Sequence, residues 1–146
     1  SSNTSSVTLY HTTHTSFNTK IINISGKTKE YFMLENIGHD GYQAGLDYMI
    51  GGNDNTSGIA IWHIDENQSG NSDYTHKLVD LEEAADAGLD LGSHSGKQTS
   101  LFFSGNKTEF SDSTNPNSKT YSDNSSGITI DNISAAGDLM TFDVSF

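Results

Sequence analysis

Apolar and polar positions along this chain fall into short runs, and the longest uninterrupted one, Ile59-Ala60-Ile61-Trp62-His63-Ile64, organises the rest. Residues 58–66 are too few for an ordinary helix and rich in β-branched and aromatic side chains, so they predict a strand buried on both faces near a sheet centre. Residues 30–36 form a second apolar run between acidic ends and predict another central strand. Period-two alternation at residues 7–10 and a β-like run at 17–24 predict two strands, joined as a hairpin or meander. Residues 77–87 hold the main cluster of helix formers, yet Leu78, Val79 and Leu81 suit a strand, with a loop or short helix beyond. Leu101-Phe102-Phe103 is a short apolar stretch, and Asn115-Pro116 signals a turn. Two strands close the chain, at 127–133 with Ile128, Ile130 and Asn132 on one face, and at 139–146 with Met140, Phe142, Val144 and Phe146 on one face. Ala136-Gly137-Asp138 connects them as a hairpin.

Many short strands separated by Gly, Asn and Ser turns predict an all-β fold, an antiparallel β-sandwich with long loops and at most one short helix, with a barrel as the alternative. The 146 residues suit one domain, residues 7–146, preceded by a polar stretch at 1–6 expected to be a disordered linker. The Gly-rich connection at 38–57 is too long for an ordinary turn and predicts a structured loop, with a helical turn inside it at 42–50.

Charge narrows the function classes. With 7 Lys+Arg against 19 Asp+Glu the net charge is -12, which argues against nucleic acid and against an anionic membrane surface. No apolar segment approaches the ~20 residues of a membrane span, and no signal peptide opens the chain, so a secreted origin implies a leader removed earlier or lying outside it. The chain has no cysteine, which removes disulfides and thiol chemistry alike.

Searches for catalytic patterns come back empty. The six histidines, His11, His14, His39, His63, His76 and His94, include no pair four apart with a Glu between, as a helix-borne zinc site requires. No Gly-x-Ser-x-Gly elbow and no phosphate-cradling loop ending in Lys-Ser or Lys-Thr is present. What remains is acidic: Asp65 and Glu66 leave the organising strand, while Asp80, Glu82, Glu83, Asp86 and Asp90 lie at or beyond the next β-like run. If the two runs pair, these carboxylates either fan into water or meet at one sheet edge, where like-charge repulsion would call for a hard cation. Calcium, with 6 to 8 oxygen ligands, is the natural candidate, and Asp65, Glu66, Asp80 and Glu82 are the expected ligands. Trp62 and His63 project to opposite strand faces, as packing groups or as part of a binding surface.

Several linked motifs carry a resemblance. Glu30-Tyr31-Phe32-Met33-Leu34-Glu35-Asn36, Gly41-Tyr42-Gln43-Ala44-Gly45-Leu46, Ser57-Gly58-Ile59-Ala60-Ile61-Trp62-His63-Ile64-Asp65-Glu66 and His76-Lys77-Leu78-Val79-Asp80-Leu81-Glu82-Glu83-Ala84 occur in this order. With the closing stretch from Pro116 to Val144, they resemble the segment that follows the catalytic domain in secreted bacterial metalloproteases similar to immune inhibitor A. The chain departs from that pattern at Asn36-Ile37-Gly38 and at Ala84-Ala85-Asp86, which runs one residue longer. The resemblance implies a secreted, extracellular zinc endopeptidase as the parent. Its zinc-binding helix has no counterpart here, so zinc belongs to the absent catalytic domain. The chain itself is then expected to be a non-catalytic accessory domain whose partner is the catalytic domain of the same polypeptide. The rival expectation is an independent extracellular module for carbohydrate or a host surface protein, with Trp62 and the tyrosines as its platform.

Overall fold

A computed structural model describes residues 3–11, 18–38, 57–85, 89 and 97–146. The expected helical turn at 42–50, the motif at 41–46, Asp86, Asp90, His14, His39 and His94 lie outside these residues.

The organising run forms a strand, Gly58–Asp65, in which every residue except the half-buried Trp62 is buried. It is numbered β4 after Ser5–Tyr10 (β1), Thr19–Asn23 (β2) and Glu30–Ile37 (β3), and is followed by Val79–Leu81 (β5), Thr129–Asp131 (β6) and Leu139–Ser145 (β7). Two antiparallel sheets result, a four-stranded one in the order β2-β3-β4-β5 and a three-stranded one in the order β1-β7-β6. Among the described residues the only helical piece is a 3-10 turn at Gln98–Ser100. The fold is an all-β sandwich.

Period two explains which side chains face inward. In β3, Glu30, Phe32, Leu34 and Asn36 are buried while Tyr31, Met33, Glu35 and Ile37 are half-buried on the other face. The register sets Phe32 opposite His63 and Leu34 opposite Ile61, so β4 continues the same inner row. From the other sheet come Leu9 of β1, Ile130 of β6, and Met140, Phe142 and Val144 of β7. Phe102 and Phe110 reach the core from outside the regular strands: Phe102 bridges Ile59, and Phe110 bridges Ile130. Phe110 meets Phe32 edge-on at 5.2 Å and Phe102 at 5.9 Å, a geometry that aromatic quadrupoles favour.

Three local expectations change, and one alternative is decided. The first two strands form no hairpin, because β1 pairs along its full length with β7 in one sheet while β2 pairs with β3 in the other. The C-terminal strand offers β1 six consecutive partners and a buried face for Leu9, which a neighbour joined by a short connection need not outcompete. Strand pairing also reaches into the stretch expected to be disordered, since Ser5 and Ser6 lie opposite Val144 and Asp143. Of the loop or short helix expected beyond β5, the chain takes the loop at 82–85. Glu82 donates its N–H to the Ile61 carbonyl (2.9 Å) and Ala84 to that of Ser100 (3.0 Å), so ladder-like bonds outweigh helix propensity. At the chain end, Asn132 turns outward with φ 53 and Phe146 is 63% exposed, so neither extends the inner row.

Phe110 is fully buried between two other rings, and truncating it leaves a cavity that backbone bridging cannot close. Phe110→Ala is expected to lower unfolding free energy by about 3–5 kcal/mol in urea titrations, whereas Ile21→Ala, at a side chain 53% exposed, should cost under about 0.5 kcal/mol.

Candidate functional site

A cleft of about 480 Å³ opens beside β4 and β5, walled by the chain after β5 on one side and by residues 115–123 on the other. Its lining is polar and of mixed charge, with Glu82 and Glu83 facing Lys107 and Lys119, and with His63 and Tyr121 at the base.

His63 sits there because β4 alternates. Its neighbours Trp62 and Ile64 point to the outer face, so the imidazole is carried inward, where it is 3% exposed. Its Nδ1 lies 3.1 Å from Glu82 Oε1 and its Nε2 lies 3.2 Å from Glu30 Oε1. Both contacts are satisfied together when each ring nitrogen carries a proton. Glu30, 4% exposed, also accepts the Tyr121 N–H at 2.8 Å and pairs with Lys27 Nζ at 3.1 Å. A carboxylate this deep is tolerated because each oxygen meets a donor.

Rings stack into a column on this bridge. Phe32 lies 4.5 Å from His63, His63 stacks on Tyr121 at 4.2 Å and 15°, and His76 covers the other face of Tyr121 at 4.1 Å and 27°. His76 Nε2 is 2.7 Å from Asp65 Oδ2. Burial alone would raise the Asp65 carboxyl, but the Asn67 backbone N–H, His76 and the Asn67 amide together hold it below its ordinary value. Tyr121 thus clips the loop at 111–127 to the four-stranded sheet through two aromatic faces and one backbone bond.

That loop is tied again at its base. Asp112 accepts the hydroxyls of Ser118, Ser125 and Ser126 and the backbone N–H groups of Ser126 and Gly127. Gly127 adopts φ 72, where a side chain would be strained, and so presents its N–H to the carboxylate. Partial burial pushes Asp112 upward, but the Ser125 hydroxyl and the Ser126, Gly127 and Ser118 donors outweigh it and lower its pKa to about 2.

The four expected calcium ligands are not gathered at one point. The antiparallel register that joins β4 to β5 separates Asp65 from Glu82: Asp65 donates its N–H to Leu78 O, whereas Glu82 bonds to Ile61 O, four residues and about 13 Å back along β4. Each also has its own partner. Asp65 holds Asn67 and His76, Glu66 accepts the Tyr31 hydroxyl at 3.0 Å, Asp80 pairs with Lys77 at 2.5 Å, and Glu82 faces His63. Glu83 accepts the Leu89 N–H at 3.1 Å. Among the described residues no group of three or more His, Asp or Glu side chains is arranged to hold a metal ion, so no step is assigned to calcium.

Sequence reasoning placed Trp62 and His63 on opposite faces but missed Glu30 and Tyr121. Glu30 carried a signal, because it shares the period-two phase of Phe32 and Leu34 and so had to be inward. Tyr121 carried none, lying in a turn-rich segment without periodicity.

Glu30→Ala would strip His63, Lys27 and the Tyr121 N–H of a shared acceptor, and an expected loss of about 2–4 kcal/mol should appear in urea titrations. For Asp112 the folded-state pKa lies below the unfolded value of 3.8, so its contribution is complete above pH 3.8 and fades as pH falls toward about 2. Discounted for solvent screening, that contribution is about 1 kcal/mol. Melting temperature against pH should therefore show wild type above Asp112→Ala at pH 5 and the two converging near pH 2. Compared with known proteins, the chain matches no family model, no curated protein and no solved structure.

Proposed function

We propose that the chain is a non-catalytic accessory domain of a secreted zinc metalloprotease similar to immune inhibitor A, and that it packs on the catalytic domain of the same polypeptide. The observation that carries this reading is the outer face of the four-stranded sheet. There the register lines up Ile21, Met33, Trp62 and Leu81 in one row across all four strands, about 14 Å wide. A second row sets Tyr31, the buried Ile64 and Val79 side by side. Ile21 is 53% and Val79 36% exposed, and Tyr31, Met33, Trp62 and Leu81 are half-buried. Aligned apolar rows on the face turned away from the core are the mark of a docking surface. The resemblance carried by the motif order of residues 30–84 supports the catalytic domain as that partner.

The rival module for carbohydrate or a host surface protein draws less support. Both faces of Tyr121 are covered by histidines, so that ring offers no open stacking face.

The region upstream of Ser1 in the native gene should encode a His-Glu-x-x-His helix. Co-expressed with this chain, that region should purify as a one-to-one complex. Replacing Ile21 and Val79 together by Ser should weaken the complex about tenfold while leaving the melting temperature of the isolated chain within about 2 °C, since both side chains are exposed. Absence of such a helix, or a complex indifferent to the double replacement, would remove the reading.

A further inference from the structure

The same outer face carries information about the chemistry of what it binds, and this inference rests on the docking face proposed above. Along the strand direction the two apolar rows are bracketed by carboxylates. On one side Glu35, opposite Ala60, accepts the Trp62 indole N–H through Oε2. On the other, Glu66 follows β4 and accepts the Tyr31 hydroxyl through Oε1 at 3.0 Å. The Tyr31 pKa is raised, first by burial and then by its bond to Glu66 and that residue's charge, so the hydroxyl keeps its proton and the contact persists. Each carboxylate thereby has one oxygen fixed by a ring from the apolar rows, while the second oxygen accepts no hydrogen bond among the described residues. Acid, apolar, apolar and acid follow one another at the rows of Ala60, Trp62 and Ile64 and at Glu66 just past β4, so six residues separate the backbones of the two acids by about 20 Å.

We infer that this face takes a partner segment with an apolar ridge flanked by two cationic side chains about 20 Å apart, Glu35 and Glu66 receiving one each. A second copy of the chain is disfavoured as the occupant, because two surfaces that each carry a net charge of -12 repel one another. Charges of this rim type set orientation and partner choice, while the apolar rows supply most of the contact.

Trp62, the only tryptophan, reports directly on the face through its fluorescence. The probes are three blocked extended heptapeptides, Lys-Thr-Leu-Thr-Val-Thr-Lys and its counterparts with Glu or Thr at both ends, whose first and seventh residues match the 20 Å span. The Lys peptide is expected to bind about tenfold tighter than the Glu peptide at low salt, with the preference falling below about threefold in 0.5 M NaCl. Glu35→Gln and Glu66→Gln should each erode that preference, and the Ile21 and Val79 double replacement by Ser should weaken all three peptides alike. Equal binding of the Lys and Glu peptides, with the double replacement still weakening both, would overturn the charge assignment and leave the docking face standing. Peptides that do not perturb Trp62 at millimolar concentration, or that ignore the double replacement, would overturn the docking face and the charge assignment with it.

Discussion

The eight-residue antiparallel pairing of β3 with β4 is the constraint from which the rest follows. Because side chains alternate strictly along paired strands, fixing that register decides every neighbour across the sheet at once. One phase gives Phe32, Leu34, Ile59 and Ile61 to the core, and carries Glu30 and His63 inward with them. The other phase gives Met33, Trp62 and Tyr31 to the outer face. Slipping the pair by one residue would exchange the two sets, burying Glu35 and exposing Phe32, so the apolar core and the outer apolar rows are specified by the same hydrogen-bond ladder.

Carrying charges inward has a cost, and the structure meets it by concentration rather than by exclusion. Glu30, His63 and Glu82 share contacts, with Lys27 and the Tyr121 N–H completing the set around Glu30. Removing one partner from such a group is far more damaging than never having built it, because the remaining groups stay desolvated. The group is therefore a point of specificity for the inner face: it accepts one register and one position for the loop that bears Tyr121.

The strands were legible in the sequence where burial leaves a period. β4 and β3 read as runs of apolar residues, and β7 as alternation, because their side chains face an apolar environment on two faces or on one. Strand partners were less legible. β1 and β2 are neighbours in sequence and members of different sheets, since pairing depends on which distant strand offers the longer matching edge. The candidate site was the least legible. Asp65, Glu66, Asp80 and Glu82 stood out by clustering in sequence, yet the register carries Glu82 away from the Asp65 end of β4, and each carboxylate meets its own partner. Tyr121 reaches the site from a segment whose only regularities are serines and turns, and the ring contacts that hold it leave no mark on composition.

Asp112 lends that same segment a property beyond its own bonds. Five donors from residues 118–127 converge on one carboxylate, so the irregular wall of the cleft is fastened to itself as well as to the sheet. An irregular stretch fastened in this way has surrendered its conformational freedom during folding, and a molecule entering the cleft meets a shape already set. The cleft therefore has the character of a mould, its outline fixed before anything touches it.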